Sequence, residues 1–361
     1  MTGIHRPDGG SNAPIEVLWR AMPVTRMLDN GVDYADVLAM QRSTADGIAW
    51  DKAAERLATA QLERARAAVR DGHPVTAFAA YRAAAADLLF AQMAFNFDSA
   101  RKRSLYEAFT DAVGRAAALA DPPWEREYIP FAGGLMNAWL LRPATEPIGA
   151  VIVFGGQSGW GAAYLPQADA LLRRGMAVLL AEGPGQGESR LRHRILLDVD
   201  VRAAYSAFVS RALSVAPRAG LWGNSLGGLY AATTAAADRR VSAVCVNSAP
   251  AQPRLQPFRT FVDQAAAMLG TSDADAIQVN FDRIAFRPGV DRIGCPLLVL
   301  HGGADPIVHL DQQQPFLDAA HDATLRVWED GEHTIYNHAH DRTAYVADWF
   351  ADQFTAQQPG T

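Results

Sequence analysis

From about residue 150 onward, short apolar runs alternate with stretches of helical length, and that alternation leaves few folds open. The runs are Ala150–Phe154, Met176–Ala181, Ala219–Trp222, Val241–Asn247, Pro296–His301 and Thr324–Trp328. Between them, Ala162–Arg174, Val201–Val215, Leu226–Asp238, Leu310–Ala320 and Ala339–Phe354 suit helices. A run that is apolar throughout, rather than at alternate positions, is a strand covered on both faces. Strands of that kind joined through helices run parallel. The predicted class is therefore α/β, a mostly parallel sheet with helices on both faces. In such open sheets, sites form beyond the carboxyl ends of the strands.

Upstream of this rhythm, Asp121-Pro-Pro-Trp124 marks a change in composition. After it, Glu127–Phe131 and Leu135–Leu141 flank Gly133-Gly134 and read as a β-hairpin. Residues 15–122 read as a helical domain. Ala53–Arg70 and Pro74–Phe95 carry apolar positions at helical spacing, with Gly and Pro between the segments. Phe78, Tyr81, Phe90, Phe95 and Phe97 fall in that pattern as packing residues. Residues 1–14 have no apolar h-region and read as a loose tail. The domain prediction is thus a tail over 1–14, helices over 15–122 and an α/β domain over 123–361. Residues 249–287 are too long for an ordinary connection. Their helix-like Phe258–Leu269 and Ala274–Phe286 predict a helical insertion over the site.

The net charge of −6 argues against a nucleic-acid partner. No apolar run approaches the ~20 residues of a membrane span. The basic clusters Arg101-Lys102-Arg103 and Arg190–Arg194 are expected to be solvated surface or salt-bridge material. The two cysteines, Cys245 and Cys295, read as apolar core residues of a reduced, cytoplasmic protein.

The residues with chemical potential fall where the sheet argument puts them. Gly223-Asn-Ser225-Leu-Gly227 lies between a strand candidate and a helix candidate, the context in which G-x-S-x-G is a nucleophile elbow. A serine hydroxyl needs a base, and the base needs an orienting group. Asp305 follows the run ending at His301, and His333 follows the run ending at Trp328. The order Ser225, Asp305, His333 is that of the α/β-hydrolases. An oxyanion hole takes one N–H from Leu226 and a second from the loop Gly155–Trp160, with Gln157 favoured and Gly156 the near alternative. Ser158 is a poor rival nucleophile, because Trp160 stands where an elbow needs glycine.

Other candidates carry less. Gly183-Pro-Gly-Gln-Gly187 resembles a phosphate cradle, but its spacing is not that of a dinucleotide fold and no Walker lysine exists. His333, His338 and His340 lack zinc-type spacing. No cofactor and no metal are expected, and Asn337 and His338 are read as neighbours that shape the His333 loop. Trp160, Tyr164 and Tyr230 are candidate substrate contacts that could equally be structural.

Glu182-Gly-Pro-Gly-Gln-Gly-Glu188-Ser189, the Gly155-Gly156 loop, Gly-Asn-Ser-Leu-Gly-Gly and the Gly-Glu-His333 turn together resemble one branch of the α/β-hydrolases. That branch includes the FrsA-like proteins, 2,6-dihydroxypseudooxynicotine hydrolase and the fungal pigment polyketide-shortening hydrolases. The likeness extends to Gly72-His-Pro-Val-Thr-Ala77 and Tyr81-Arg-Ala-Ala-Ala, and so spans about residues 50–355. Glu182 stands where aspartate is common in this motif. No glutamate occurs between Arg190 and Trp328, so an acidic substrate contact in the insertion falls to Asp263, Asp273, Asp275 or Asp282.

The resemblance implies an α/β-hydrolase fold with an N-terminal helical cap over the site. It also implies hydrolysis of a C–C bond next to a ketone, alongside ester hydrolysis. Three functions follow for a small-molecule substrate. The first is C–C cleavage in a β-diketone-like aromatic or polyketide-derived compound. The second is a carboxylesterase, amidase or thioesterase, and the third a binding, regulatory or non-hydrolytic use of the fold. The sequence is silent on oligomeric state; a homodimer is the expectation by analogy with other large caps.

Overall fold

The computed structural model describes residues 13–157 and 159–356. Residues 1–12 of the expected tail lie outside the described residues. The chain divides into two units, one ending at Ala120 and the other beginning at Asp121.

The described part of the first unit is helical: α1 Ile15–Ala21, α2 Val24–Asp29, α3 Tyr34–Ala45, α4 Trp50–Arg70, α5 Pro74–Met93 and α6 Ala100–Leu119. Their starts follow local chemistry. The Asp33 carboxylate accepts from Ala35 N at 2.8 Å, Ser99 Oγ accepts from Lys102 N at 3.0 Å, and Pro74 opens α5. Helix α5 packs against both α4 and α6 and is buried on every side from Ala84 to Met93. Its many alanines let the neighbouring helices approach. Trp50 is fully buried at the start of α4 and donates its indole N–H to Phe90 O at 2.9 Å. Of the expected packing aromatics, Tyr81, Phe90 and Phe95 are buried, while Phe78 and Phe97 are partly exposed.

The second unit is built on an eight-stranded sheet in the order β1-β2-β4-β3-β5-β6-β7-β8. The strands are β1 Glu125–Phe131, β2 Gly134–Leu141, β3 Ala150–Phe154, β4 Ala177–Glu182, β5 Ala219–Asn224, β6 Val241–Asn247, β7 Leu297–Gly302 and β8 Ala323–Trp328. β1 and β2 pair antiparallel to each other, and β2 pairs antiparallel to β4; β3 to β8 are parallel. Ala132 and Gly133 make the two-residue hairpin turn with φ of 49° and 77°, the paired positive values that suit strand twist. Every residue of β3, β4 and β5 is buried, as the unbroken apolar runs require.

The helices are α7 Leu165–Leu172, α8 Gly187–Leu191, α9 Val201–Leu213, α10 Leu226–Ala237, α11 Arg259–Leu269, α12 Ala274–Ile284, α13 Gln314–Asp318 and α14 Ala339–Ala356. The expected helix over 310–320 is broken into a 3-10 turn, Leu310–Gln312, and the short α13. Gln313 sits at the break, where its side chain turns inward to donate to Leu300 O at 3.2 Å and meet His301 Nδ1 at 2.9 Å. Pro315 then opens α13. The expected helix over 162–174 likewise begins as a 3-10 turn, Gly161–Tyr164. The insertion carries α11 and α12, and its Met268 accepts from Leu197 N at 2.9 Å, tying it to the segment after α8.

The basic clusters divide rather than lying together on the surface. Arg101 does form ion pairs, to Asp51 at 2.8 Å and Glu55 at 2.7 Å. Lys102 is buried instead. Its ammonium donates to Gln92 Oε1 and Phe95 O at 2.7 Å each and to Gln92 O at 3.2 Å. Three oxygens match its three N–H bonds, which is how a cation is tolerated inside. Arg190 is also buried, with its guanidinium 5.5 Å from the centre of the Trp160 ring. Both cysteines are free, and burial pushes the Cys295 thiol up to about 12.

Candidate active site

Ser225 sits between β5 and α10 with φ 57° and ψ −135°, a conformation that costs energy for any residue with a side chain. The turn exists because its flanks are bare. A Cβ on Gly223 would collide with the Gly227 carbonyl, and one on Gly227 would lie 2.7 Å from Gly155 O. Ser225 N donates to Asn247 O at 2.8 Å, anchoring the turn to the end of β6.

His333 Nε2 lies 2.9 Å from Ser225 Oγ, and His333 Nδ1 lies 2.8 Å from Asp305 Oδ2. Burial would raise the Asp305 pKa, but the neighbouring His333 and the Ile307 and Val308 amides more than offset it and hold it below its ordinary value. A carboxylate can only accept, so the imidazole carries its proton on Nδ1 and offers Nε2 to the serine hydroxyl. Asp305 Oδ1 takes those two amides at 2.8 and 3.1 Å, which fixes the carboxylate plane.

The His333 turn is held by side chains. Thr334 and Ile335 have φ of 54° and 62°. Thr334 N donates to Ser248 Oγ at 3.1 Å, and Thr334 O accepts from Asn247 Nδ2 at 3.2 Å and Arg342 Nη1 at 2.8 Å. Asn337 Oδ1 accepts from Glu332 N at 2.9 Å, Asn337 Nδ2 donates to Asp330 O at 2.8 Å, and His338 Nε2 meets Asp330 Oδ1 at 2.8 Å. Asn337 and His338 therefore brace this loop.

The loop after β3 comes against the start of α10. A Cβ on Gly156 would stand 2.5 Å from Leu226 N, so the two candidate donor segments are in direct contact. The Gln157 side-chain amide nitrogen is buried and has no hydrogen-bond partner among the described residues. Ser158 lies outside the described residues.

The candidate substrate contacts are dispersed. Trp160 is buried beneath Arg190. The Tyr164 hydroxyl occupies the space a Cβ on Gly155 would need. Tyr230 is wholly inside, stacked on Tyr205 with ring centres 5.6 Å apart, and its place is in the packing of α10 on α9. In the insertion, Asp273 caps α12 by accepting from Asp275 N at 2.9 Å and Ala276 N at 3.3 Å, leaving Asp275 in its first turn. Asp282 pairs with Arg254 at 2.9 Å and Asp263 with Arg259 at 3.5 Å.

Several residues around the site were not singled out by the sequence: Asn247, Ser248, Arg342, Gln186 and Tyr205. Asn247 ends β6 and Ser248 follows it, the level at which the other groups fall, and that was the available signal. Gln186 lay in view, inside the glycine-rich run weighed as a phosphate cradle and as part of the family motif, with no role given to its side chain. In its place that run makes a tight loop. The Glu182 carboxylate fills the space a Gly187 Cβ would take and accepts from Glu188 N at 2.9 Å.

Comparison with known proteins bears on this arrangement. The model of the prolyl oligopeptidase family matches residues 168–357, just over half of the chain. A relative from Paenarthrobacter nicotinovorans, described as 2,6-dihydropseudooxynicotine hydrolase, is 28% identical over 360 residues, 92% of this chain and 91% of that protein. Hydrolase ORFZ from Pyricularia oryzae is 31% identical over 261 residues, 65% of this chain and 59% of that protein. The crystal structure of the 2,6-dihydroxy-pseudo-oxynicotine hydrolase matches with a TM-score of 0.83 and 26% identity, over 93% of this chain and 97% of that one. The 2,6-dihydroxypseudooxynicotine hydrolase is a member of the branch that the sequence motifs resemble, and the fold is that of the α/β-hydrolases.

Proposed function

The chain belongs to the prolyl oligopeptidase family, and on that footing we propose a serine hydrolase that cleaves a C–C bond next to a ketone in a β-diketone-like aromatic or polyketide-derived small molecule. Ser225 is the nucleophile, His333 the general base and acid, and Asp305 the group that orients it. The observation that carries the reading is the unbroken line from Ser225 Oγ to His333 at 2.9 Å and from His333 to Asp305 at 2.8 Å. The likeness to a protein described as 2,6-dihydropseudooxynicotine hydrolase, over 92% of this chain, supports the choice of bond.

The chemistry runs in two halves. Ser225 Oγ attacks the ketone carbon as His333 Nε2 takes the hydroxyl proton, and the carbonyl oxygen becomes an oxyanion held by the Leu226 amide and a second N–H from the Gly156–Gln157 segment. Collapse of the adduct breaks the bond to the adjacent carbon. The electron pair leaves as a resonance-stabilised carbanion, which takes the proton from His333. Water then attacks the Ser225 acyl ester with His333 again as base, releasing a carboxylic acid and the free serine. One water is consumed, and a second carbonyl or arene group in the substrate is needed to stabilise the carbanion.

Intact mass after exposure to a fluorophosphonate, with Ser225→Ala alongside, tests the nucleophile: one adduct in the native protein and none in the variant is the expected result. Matched aryl β-diketones and aryl esters test the bond, since both classes pass through a tetrahedral oxyanion. Rapid ester turnover with no diketone cleavage would sink the C–C reading and leave an esterase.

A further inference from the structure

We propose that Gln186 is the positioning residue that aims the second oxyanion donor. The inference rests on the Ser225 reading above and goes on to say how that site is kept in register.

Gln186 is 1% exposed and lies in the glycine-rich loop between β4 and α8. Its amide nitrogen donates to two successive carbonyls of the loop after β3, Gly155 O at 2.5 Å and Gly156 O at 2.9 Å. Its amide oxygen accepts from Gly183 N at 3.0 Å and Tyr205 Oη at 3.3 Å. Those two contacts settle which end of the amide faces the carbonyls, because a backbone N–H can only donate to the oxygen.

A trans peptide sets its C=O and N–H in opposite directions. Holding the Gly155 and Gly156 carbonyls on one donor therefore turns the N–H groups of Gly156 and Gln157 away from Gln186. This loop lies beside the first candidate donor: a Cβ on Gly156 would stand 2.5 Å from Leu226 N. Gly156 O keeps a longer bond from Gly159 N at 3.3 Å, so without the Gln186 amide it is the Gly155–Gly156 peptide that is free to turn and present an oxygen where a donor is needed.

The surrounding sequence makes room for this clamp. A Cβ on Gly183 would stand 2.6 Å from the Tyr205 hydroxyl, so glycine there is what lets the phenol reach the amide. Gly185 has φ 78° and packs against Met268 of the insertion, where a Cβ would lie 3.0 Å from Met268 Cβ. The motif Gly-Pro-Gly-Gln-Gly is then a mount for one side-chain amide rather than a phosphate cradle.

The test is the inactivation of the full-length protein by a fluorophosphonate, read as a maximal rate and a half-saturating concentration across pH. Gln186→Glu keeps the size but replaces the donor with an acceptor. It should lower the maximal rate roughly 10²-fold, the loss typical of one oxyanion donor. The half-saturating concentration and the pH midpoint of the profile should not move, because the Ser225–His333–Asp305 line is untouched. Tyr205→Phe, which loosens the clamp without removing it, should lower the rate about fivefold. If Gln186→Glu does not fold, as judged by its thermal transition, Gln186→Met carries the same expectation. A folded Gln186 variant that labels at the native rate overturns the proposal, as does one whose pH midpoint shifts, since that places the effect at His333. Absence of labelling in the native protein overturns the Ser225 reading and this inference with it.

Discussion

The Ser225 turn and the His333 turn meet at one hydrogen bond, yet they are held by different physics. Ser225 is placed mainly by what is missing: glycines at 223 and 227 let backbone strands approach to distances that no Cβ permits. His333 is placed mainly by what is present. Ser248, Asn247 and Arg342 grip the Thr334 peptide, and Asn337 and His338 brace the turn before it. Sterics enter on that side at Gly302, whose Cβ would meet the Glu332 carbonyl. A turn made by close approach is all or nothing, whereas a turn made by several hydrogen bonds can weaken by degrees.

Substitutions on either side test that contrast. Gly223→Ala should have the largest effect. The methyl has no place to go, and the penalty should exceed about 4 kcal/mol, a large share of the roughly 5–15 kcal/mol that holds a typical domain folded. Soluble yield and thermal midpoint report it, and a folded Gly223→Ala protein that still labels at Ser225 would remove the steric half of the comparison. Next is Asp305→Asn, which keeps the shape but lets the imidazole hold its proton on the wrong nitrogen. Turnover should fall roughly 10⁴-fold with the fold intact, and a loss under tenfold would mean that another group orients His333.

Ser248→Ala belongs to the graded side. It leaves the buried Thr334 N–H unpaired at a cost of about 1–3 kcal/mol, and turnover should fall without vanishing. If it abolishes activity as fully as Gly223→Ala, the two turns are not different in kind. The smallest effect is in acid. The Asp305 pKa is lowered on folding, so its contribution to stability is present above the ordinary carboxylate value of 3.8 and is lost as the pH falls through the folded value. The thermal midpoint of the native protein should therefore drop more steeply below about pH 4 than that of Asp305→Asn. Parallel curves would mean that Asp305 contributes nothing to acid sensitivity.

The same contrast explains what could be read in the chain beforehand. Strands β3, β4, β5 and β7 were legible because complete burial forces them to be largely apolar, and the elbow because close approach forces glycine. The order of Ser225, Asp305 and His333 followed from where each stands after a strand. The Gln186 clamp was not legible: its amide reaches Gly155, 31 residues away in sequence, and glutamine carries no mark of its partner. Thr334 is gripped by Ser248 from 86 residues away, and the strained φ at Thr334 and Ile335 has no glycine to announce it. Lys102 and Arg190 were expected near the surface because charge alone says nothing of oxygens or aromatic rings brought to it by the fold. The broken helix at 310–320 turns on one glutamine that prefers Leu300 O and His301 to solvent.

The Arg342 contact has a consequence for how the molecule comes into being. Arg342 lies on α14, the last helix among the described residues, and donates to the carbonyl of the residue after His333. A ribosome delivers Ser225 more than a hundred residues before that helix, so the growing chain holds the Ser225 segment before this contact on the His333 turn exists. The Arg342 grip on the Thr334 carbonyl can therefore form only once α14 has docked, so this brace of the His333 turn is a late contact of the described fold.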